Sequence, residues 1–327
     1  MPNRSLPYDE ALRALITQTR QYLIGQDAAV AAFAAEICRH IATSSAQQRP
    51  GIFLVAGSSA DSDQLGLSLG LGDFLGSGGG LYELASSQGE DLAHVIASIS
   101  SDTELRSLLH ALKDNPTGMF VLQDIDKAHP SLLRNLMSAW RQGIVDNEAG
   151  ERISLASAIF ILTTEVAQEQ IGQIARDEPD PDRLHVECLK ALVDAGFPAS
   201  LLRHVDFAIG LKRLTGGELM RAYYERLAAL VASHGLVLEE GGLDARILLH
   251  AMDPTVEPSV PDLMLPWNSL SDRLAQIKTT GAYMVRLILY DEVIRIVPVE
   301  RGTPHWLIDA FAAADRDRSA DREATDE

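Results

Sequence analysis

The sequence predicts a three-layer α/β domain on a parallel sheet, followed by a smaller α+β domain. Short apolar runs alternate with amphipathic helical segments up to about residue 211. Each run is short enough to be a buried parallel strand, and such alternation is the mark of a parallel sheet covered by helices. Near residue 212 the pattern changes to a helix-capping signal, further helices and two alternating strands. The expected organisation is a helical lead-in over 1–20, a large subdomain over 21–211, a small subdomain over 212–312 and a charged tail over 313–327.

The elements follow in order. After the lead-in, Gly25 breaks the helix and Asp27 can cap the next one. That helix carries Val30, Phe33, Ala34, Ile37 and Ile41 on one stripe. Residues 42–50 are polar and read as a linker. Strands are expected at 52–56, 81–85, 119–122, 158–163 and 205–211, with an amphipathic helix over 131–142. Thr215-Gly216-Gly217-Glu218 is a capping box that opens a helix bearing Leu219, Tyr223, Leu227, Leu230 and Val231. Helices are expected around 243–252 and 268–278, flanking a proline-rich stretch at 254–266. Alternation at 284–290 and 293–299 gives two strands joined at Asp291-Glu292. Residues 76–80 are a glycine-rich loop. The tail from Asp315 lacks large apolar residues and reads as disordered.

Composition narrows the function classes. A hydrophobic fraction of 46% supports a sizeable core. The formal net charge of −18 disfavours nucleic acid and anionic membrane surfaces, both of which are gripped by Lys and Arg. Cys38 and Cys188 form no CxxC pair and no metal-spaced cluster, so two reduced thiols are the plain reading beside a possible disulfide. Nothing resembles a signal peptide or a membrane span, which points to the cytoplasm or to export without a removable signal. No metal ligand set is expected.

The segment Phe120-Val121-Leu122-Gln123-Asp124-Ile125-Asp126-Lys127-Ala128-His129-Pro130 closely resembles the Walker B segment of Clp-family AAA+ unfoldases. In that family an apolar strand runs into Asp-Glu-Ile-Glu-Lys-Ala-His-Pro, and the Lys-Ala-His-Pro ending is specific to it. Leu23-Ile24-Gly25-Gln26-Asp27 resembles the family's opening motif, and residues 197–206 resemble its arginine-finger segment. The resemblance covers about residues 15–300 and corresponds to one AAA+ module of the second-ring type. It implies a P-loop NTPase-like parallel-sheet wedge with a small α+β lid.

Against that pattern the nucleotide site is degenerate. A P-loop cradles phosphates with backbone N–H groups, a Lys ammonium and a Ser/Thr hydroxyl on Mg²⁺. Matched to it, the loop starts at Gly57, Ser62 replaces the second glycine, Asp63 replaces the lysine and Gln64 the threonine. At about 4 Å and an effective dielectric near 20, a unit charge pair is worth about 4 kcal/mol, so Asp63 turns an attraction into a repulsion of similar size. Asp61 adds a second negative charge. Gln123 stands at the metal-holding Asp, and Asp124 at the catalytic Glu, where its shorter carboxylate could be tolerated. Glu165 replaces the sensor Asn. His204 takes the arginine-finger position with Arg203 one residue earlier, so a slip of one residue would restore the finger. Pro266-Trp267-Asn268 replaces Gly-Ala-Arg at the second sensor, putting Asn268 where the family has Arg. Ile24 and Gly25 match adenine-contacting positions, but read more simply as a helix-start packing motif. The stretch 97–104, matched to the family's aromatic pore loop, contains no aromatic residue with which to grip a passing chain.

The expectation is therefore a catalytically inactive AAA+ pseudo-ATPase, without cofactor, acting as a scaffold, adaptor or regulatory subunit of a bacterial protein assembly. The implied partners are protein: an active Clp-type ATPase, a secretion-machine component or further copies in an oligomer. The alternatives are an ATP-binding or heteromerically active unfoldase subunit, and a DNA-associated AAA+ regulator, which the net charge disfavours. Residues 177–182, Asp-Glu-Pro-Asp-Pro-Asp, could chelate a cation but read more simply as a solvated acidic loop. His129 reads as a helix-start residue rather than a base.

Overall fold

The computed structural model describes residues 8–20, 23, 25–43, 49–57, 80–84, 95, 97–100, 107–147, 150–251, 260–290 and 293–299. They fall into two compact units, Met1–Arg213 and Leu214–Glu327.

In the first unit, β1 (Gly51–Ala56), β2 (Gly80–Glu83), β3 (Ala97–Ser100), β4 (Met119–Gln123), β7 (Ile159–Thr164) and β8 (Phe207–Gly210) form one sheet in the order β3-β2-β4-β7-β1-β8. Five of these strands are parallel, and β3 pairs antiparallel to β2 at the edge. Residues 97–100, expected in a loop, are thus a strand. A short hairpin of β5 (Ile144–Asp146) and β6 (Arg152–Ser154), which the sequence reading did not separate, stands apart from this sheet.

Register explains the three layers. Ile52, Phe160 and Phe120 lie side by side in β1, β7 and β4, so their side chains share one face. Phe53 and Ile161, one residue on, point to the other. The helix Pro130–Gln142 covers the first face, with Trp140 against Phe160 at 5.6 Å between ring centroids. The helix Asp27–Thr43 covers the second, with Phe33 edge-on to Phe53 at 5.7 Å. β1 and β7 are buried along their whole length, as strands flanked on both faces must be. Cys38 and Cys188 are free and buried, and burial pushes their thiols up to about 11 and about 12. Neither is a ready nucleophile.

Local chemistry sets the helix boundaries. His129 is an N-cap whose Nδ1 accepts the Ser131 N–H at 3.3 Å, and Pro130 occupies the first helical position. Asp180 caps the helix Pro181–Asp194, accepting N–H groups of Asp182 and Arg183 at 3.1 and 3.0 Å. The acidic segment 177–182 therefore contains a helix start. Gly25 adopts φ +74°, and Gln26, buried after it, exchanges two hydrogen bonds with Lys212: its amide donates to the carbonyl at 2.7 Å and accepts the N–H at 3.3 Å.

In the second unit the capping box forms as the sequence reads. Glu218 N–H donates to Thr215 Oγ1 and Thr215 N–H donates to Glu218 Oε2, opening the helix Gly216–Ser233. β10 (Met284–Tyr290) and β11 (Val293–Val299) pair antiparallel, and β9 (Val237–Leu243), not foreseen, joins β10 in parallel. The helix Val260–Thr279 begins inside the proline-rich stretch, earlier than the expected 268. Among the described residues no helix is long and apolar enough to cross a membrane.

Candidate functional site

Parallel strands deliver their carboxyl ends to one edge of the sheet, where ligands bind in open α/β folds. Three predicted site segments meet there. Gly57 follows β1, Gln123 ends β4 with Asp124 directly after it, and Glu165 follows β7. Gly57 N–H donates to the Thr164 carbonyl at 3.2 Å. A Cβ at Gly57 would lie 2.8 Å from Leu211 Cβ, so close packing against the segment after β8 requires glycine here.

Between β4 and β7 the polar groups face one another. Asp124 N–H donates to Thr163 Oγ1 at 3.2 Å, and Thr164 Oγ1 donates to Asp126 Oδ1 at 2.6 Å. Asp124 holds φ +52° and ψ +50°, a left-handed conformation that non-glycine residues adopt rarely and that clusters at functional positions. Lys127, on the 3-10 turn Ile125–Lys127, places its ammonium 3.1 Å from Asp124 Oδ2 and 3.4 Å from Glu165 Oε2. Its hydrogen bond to Asp124 raises its pKa above the ordinary lysine value; burial opposes this, and the charges of Asp124 and Glu165 add to the rise. Sequence reasoning treated Lys127 only as part of a family motif. The signal available was the new carboxylate at 165, which needs a cation within reach.

The arginine-finger segment lies at the opposite edge. Arg203 ends the short helical turn Ala199–Leu202 and is exposed, with Nε donating to the Ala199 carbonyl at 3.4 Å. His204 is half-buried, its ring 6.2 Å from that of Trp140. Burial, then the charges of Arg49, Arg141 and Arg203, hold its imidazole below the ordinary histidine pKa. Asp206 accepts the Ile52 N–H at 2.9 Å and pairs with the Arg49 guanidinium.

Ser62, Asp63, Gln64 and Ile24 lie outside the described residues, as do Asp61, the stretch 101–104, the glycines at 76–79 and the tail. Asn268 belongs to the second unit, with its backbone in the helix Val260–Thr279. Among the described residues no group of His, Cys, Asp and Glu has metal-binding geometry.

Five parallel strands ordered β2-β4-β7-β1-β8 between helical layers, with loops gathered at their carboxyl ends, define a P-loop NTPase-like α/β module. No family model matches the chain. The mitochondrial disaggregase of Rattus norvegicus is 28% identical over 162 residues, 47% of this chain and 24% of that protein. Chaperone protein ClpB 2 of Parasynechococcus marenigrum is 24% identical over 135 residues, covering 40% and 15%. Chaperone protein ClpB 1 of Nostoc is 23% identical over 241 residues, covering 70% and 27%. The chain spans about a quarter or less of the length of these relatives. It carries a Clp-family AAA+ module.

Proposed function

We propose that this module does not hydrolyse ATP and works through protein–protein contacts, as a scaffold, adaptor or regulatory subunit of a bacterial assembly. The observation that carries this reading is the ion triad at the strand ends. A Mg²⁺–ATP site needs a carboxylate on the metal shell and cations on the phosphates. The residues here do not fit that group: Gln123 is a neutral amide, and Asp124 and Glu165 already share the Lys127 ammonium. The charge reversal at Asp63 and the anion at Glu165 point the same way. On this reading no cofactor is required, and the protein is cytoplasmic.

The test is hydrolysis and binding of ATP-Mg²⁺ by the purified chain. The expected result is no turnover above background and no saturable nucleotide binding. Turnover that Asp124→Ala abolishes would overturn the proposal.

A second reading draws on Arg203, which is exposed and has no carboxylate partner among the described residues. In a mixed ring with an active Clp-type ATPase it could complete a neighbour's site. The active partner's turnover with wild type and with Arg203→Ala separates the two readings.

A further inference from the structure

The sheet of the second unit has two unequal faces. Val285 and Leu287 point to one of them and are fully buried. So are Leu227, Val231, Leu270 and Leu274 of the helices Gly216–Ser233 and Val260–Thr279, which pack against this sheet. Alternation sends Met284, Arg286, Ile288 and Tyr290 to the other face. Register sets Val237 and Val299 on either side of Met284, Val297 beside Arg286 and Val293 beside Tyr290. The polar groups on this face are already engaged: Arg286 pairs with Glu239, and the Arg295 guanidinium stacks over the Tyr290 ring at 4.1 Å. Val237 and Val293 stand 38% and 49% exposed, and Met284, Ile288, Val297 and Val299 are half-buried. Single exposed apolar residues are ordinary, whereas a contiguous patch across three strands marks a surface that another element covers.

The chain carries a segment of matching pattern. Residues 300–314 follow β11 directly and lie outside the described residues. Their sequence predicts a helix, with Thr303 suited to the N-cap and Pro304 to the first helical position. Trp306, Leu307, Ala310, Phe311 and Ala314 then recur at i, i+1, i+4, i+5 and i+8, which makes one apolar stripe with Asp309 on the far side. A helix over 304–314 is about 16 Å long, and strands of seven residues such as β10 and β11 run about 24 Å, so it fits on them. A helix that short is marginal in water and needs an apolar seat. Only Glu300, Arg301 and Gly302 separate it from β11, so it starts beside the row of Val237, Met284 and Val299. The two long helices occupy the buried face, which leaves the other one for it.

We propose that residues 303–314 form an amphipathic helix that docks on the outer face of β9, β10 and β11 of the same chain and closes that apolar surface to other proteins. The apolar stripe meets the valines of the edge strands, and Asp309 faces solvent. The contact lies wholly within the second unit and does not rest on the state of the nucleotide site.

The experiment is hydrogen–deuterium exchange of the full chain read by mass spectrometry, with binding of an apolar-surface dye measured beside it. Wild type should protect the amides of 305–314 and bind little dye. Leu307→Glu/Phe311→Glu in the segment and, separately, Val293→Lys/Val297→Lys on the sheet should each lose that protection. The β10 amides should stay protected in both, which separates undocking from misfolding. Leu307→Glu/Phe311→Glu should also bind more dye, because it bares the sheet face. Asp309→Lys, on the far side of the helix, should change neither readout. Free exchange of 305–314 in wild type overturns the proposal. So does protection that survives either double variant, or wild-type dye binding equal to that of Leu307→Glu/Phe311→Glu. Protection that vanishes on dilution together with a fall in solution mass would assign the segment to a second copy and overturn docking within one chain.

Discussion

The two edges of the central sheet handle charge in opposite ways. At the carboxyl ends of the strands, Asp124 and Glu165 share Lys127, and Asp126 accepts the Thr164 hydroxyl, so the polar groups answer one another inside the molecule. At the amino ends Asp206 engages Arg49, while Arg141 and Arg203 are exposed and, among the described residues, pair with no carboxylate. The family's chemistry is expected at the carboxyl edge, yet that edge is the self-contained one. The amino edge has charge to offer another molecule. Degeneration of a site and availability of a surface are thus separate properties, readable at different places in one domain.

The largest expected effect comes from the packing beneath the amino edge. Trp140 is almost fully buried between Phe160 and His204. Trp140→Ala should cost about 3–5 kcal/mol, as large aromatic truncations do. Thermal melting should show a drop of many degrees. Asp206→Ala removes the acceptor of the Ile52 N–H and the partner of Arg49. A loss of about 1–3 kcal/mol is expected from the unmet donor.

Acid should act on the same edge of the fold. His185 stacks on Phe207 at 5.4 Å and accepts the Ala208 N–H at Nδ1, 2.8 Å away. Burial lowers its pKa, opposed by the charges of Asp182 and Glu36. His204 is lowered too. For both, the unfolded chain binds more protons at pH values between the folded pKa and the unfolded value of about 6.5, so stability falls as pH drops through that window. Melting temperatures measured from neutral pH downward should decline, and less steeply in His185→Gln, whose amide oxygen can still accept the Ala208 N–H.

Much of this fold is legible in the sequence because it rests on local rules. The five parallel strands are continuous apolar runs, and Thr215-Gly216-Gly217-Glu218 carries its capping box openly. β3, Ala-Ser-Ile-Ser, reads as a loop from sequence because a four-residue edge strand shows too little alternation to declare itself. β9 was missed because Glu239, Glu240, Gly241 and Gly242 break its pattern; buried Arg286 reaches across to pair with Glu239. At the site, the strand-end positions of Gln123, Asp124 and Glu165 follow from the apolar runs before them. The role of Lys127 does not, because its two partners follow different strands, one of them 38 residues away. The surroundings of His204 depend likewise on Arg49 and Arg141, which only folding brings to it.

The smallest expected effect is the most diagnostic for the carboxyl edge. The Lys127 side chain is 46% exposed, with Asp124 and Glu165 at 26% and 32%, so solvent screens the triad and its worth is at most about 1 kcal/mol. Lys127→Ala should therefore lower the melting temperature only slightly in plain buffer. It should nevertheless take the Lys127 ammonium away from Asp124 and Glu165. If the ammonium is what neutralises them, Mg²⁺ at millimolar concentration should recover the small loss in Lys127→Ala and do nothing for wild type. Lys127→Ala/Glu165→Asn, which removes the second carboxylate as well, should lose that response. Equal Mg²⁺ stabilisation of wild type and Lys127→Ala would show that the lysine does not fill the cation position, and the contrast between a self-contained edge and an open one would fail at its carboxyl end.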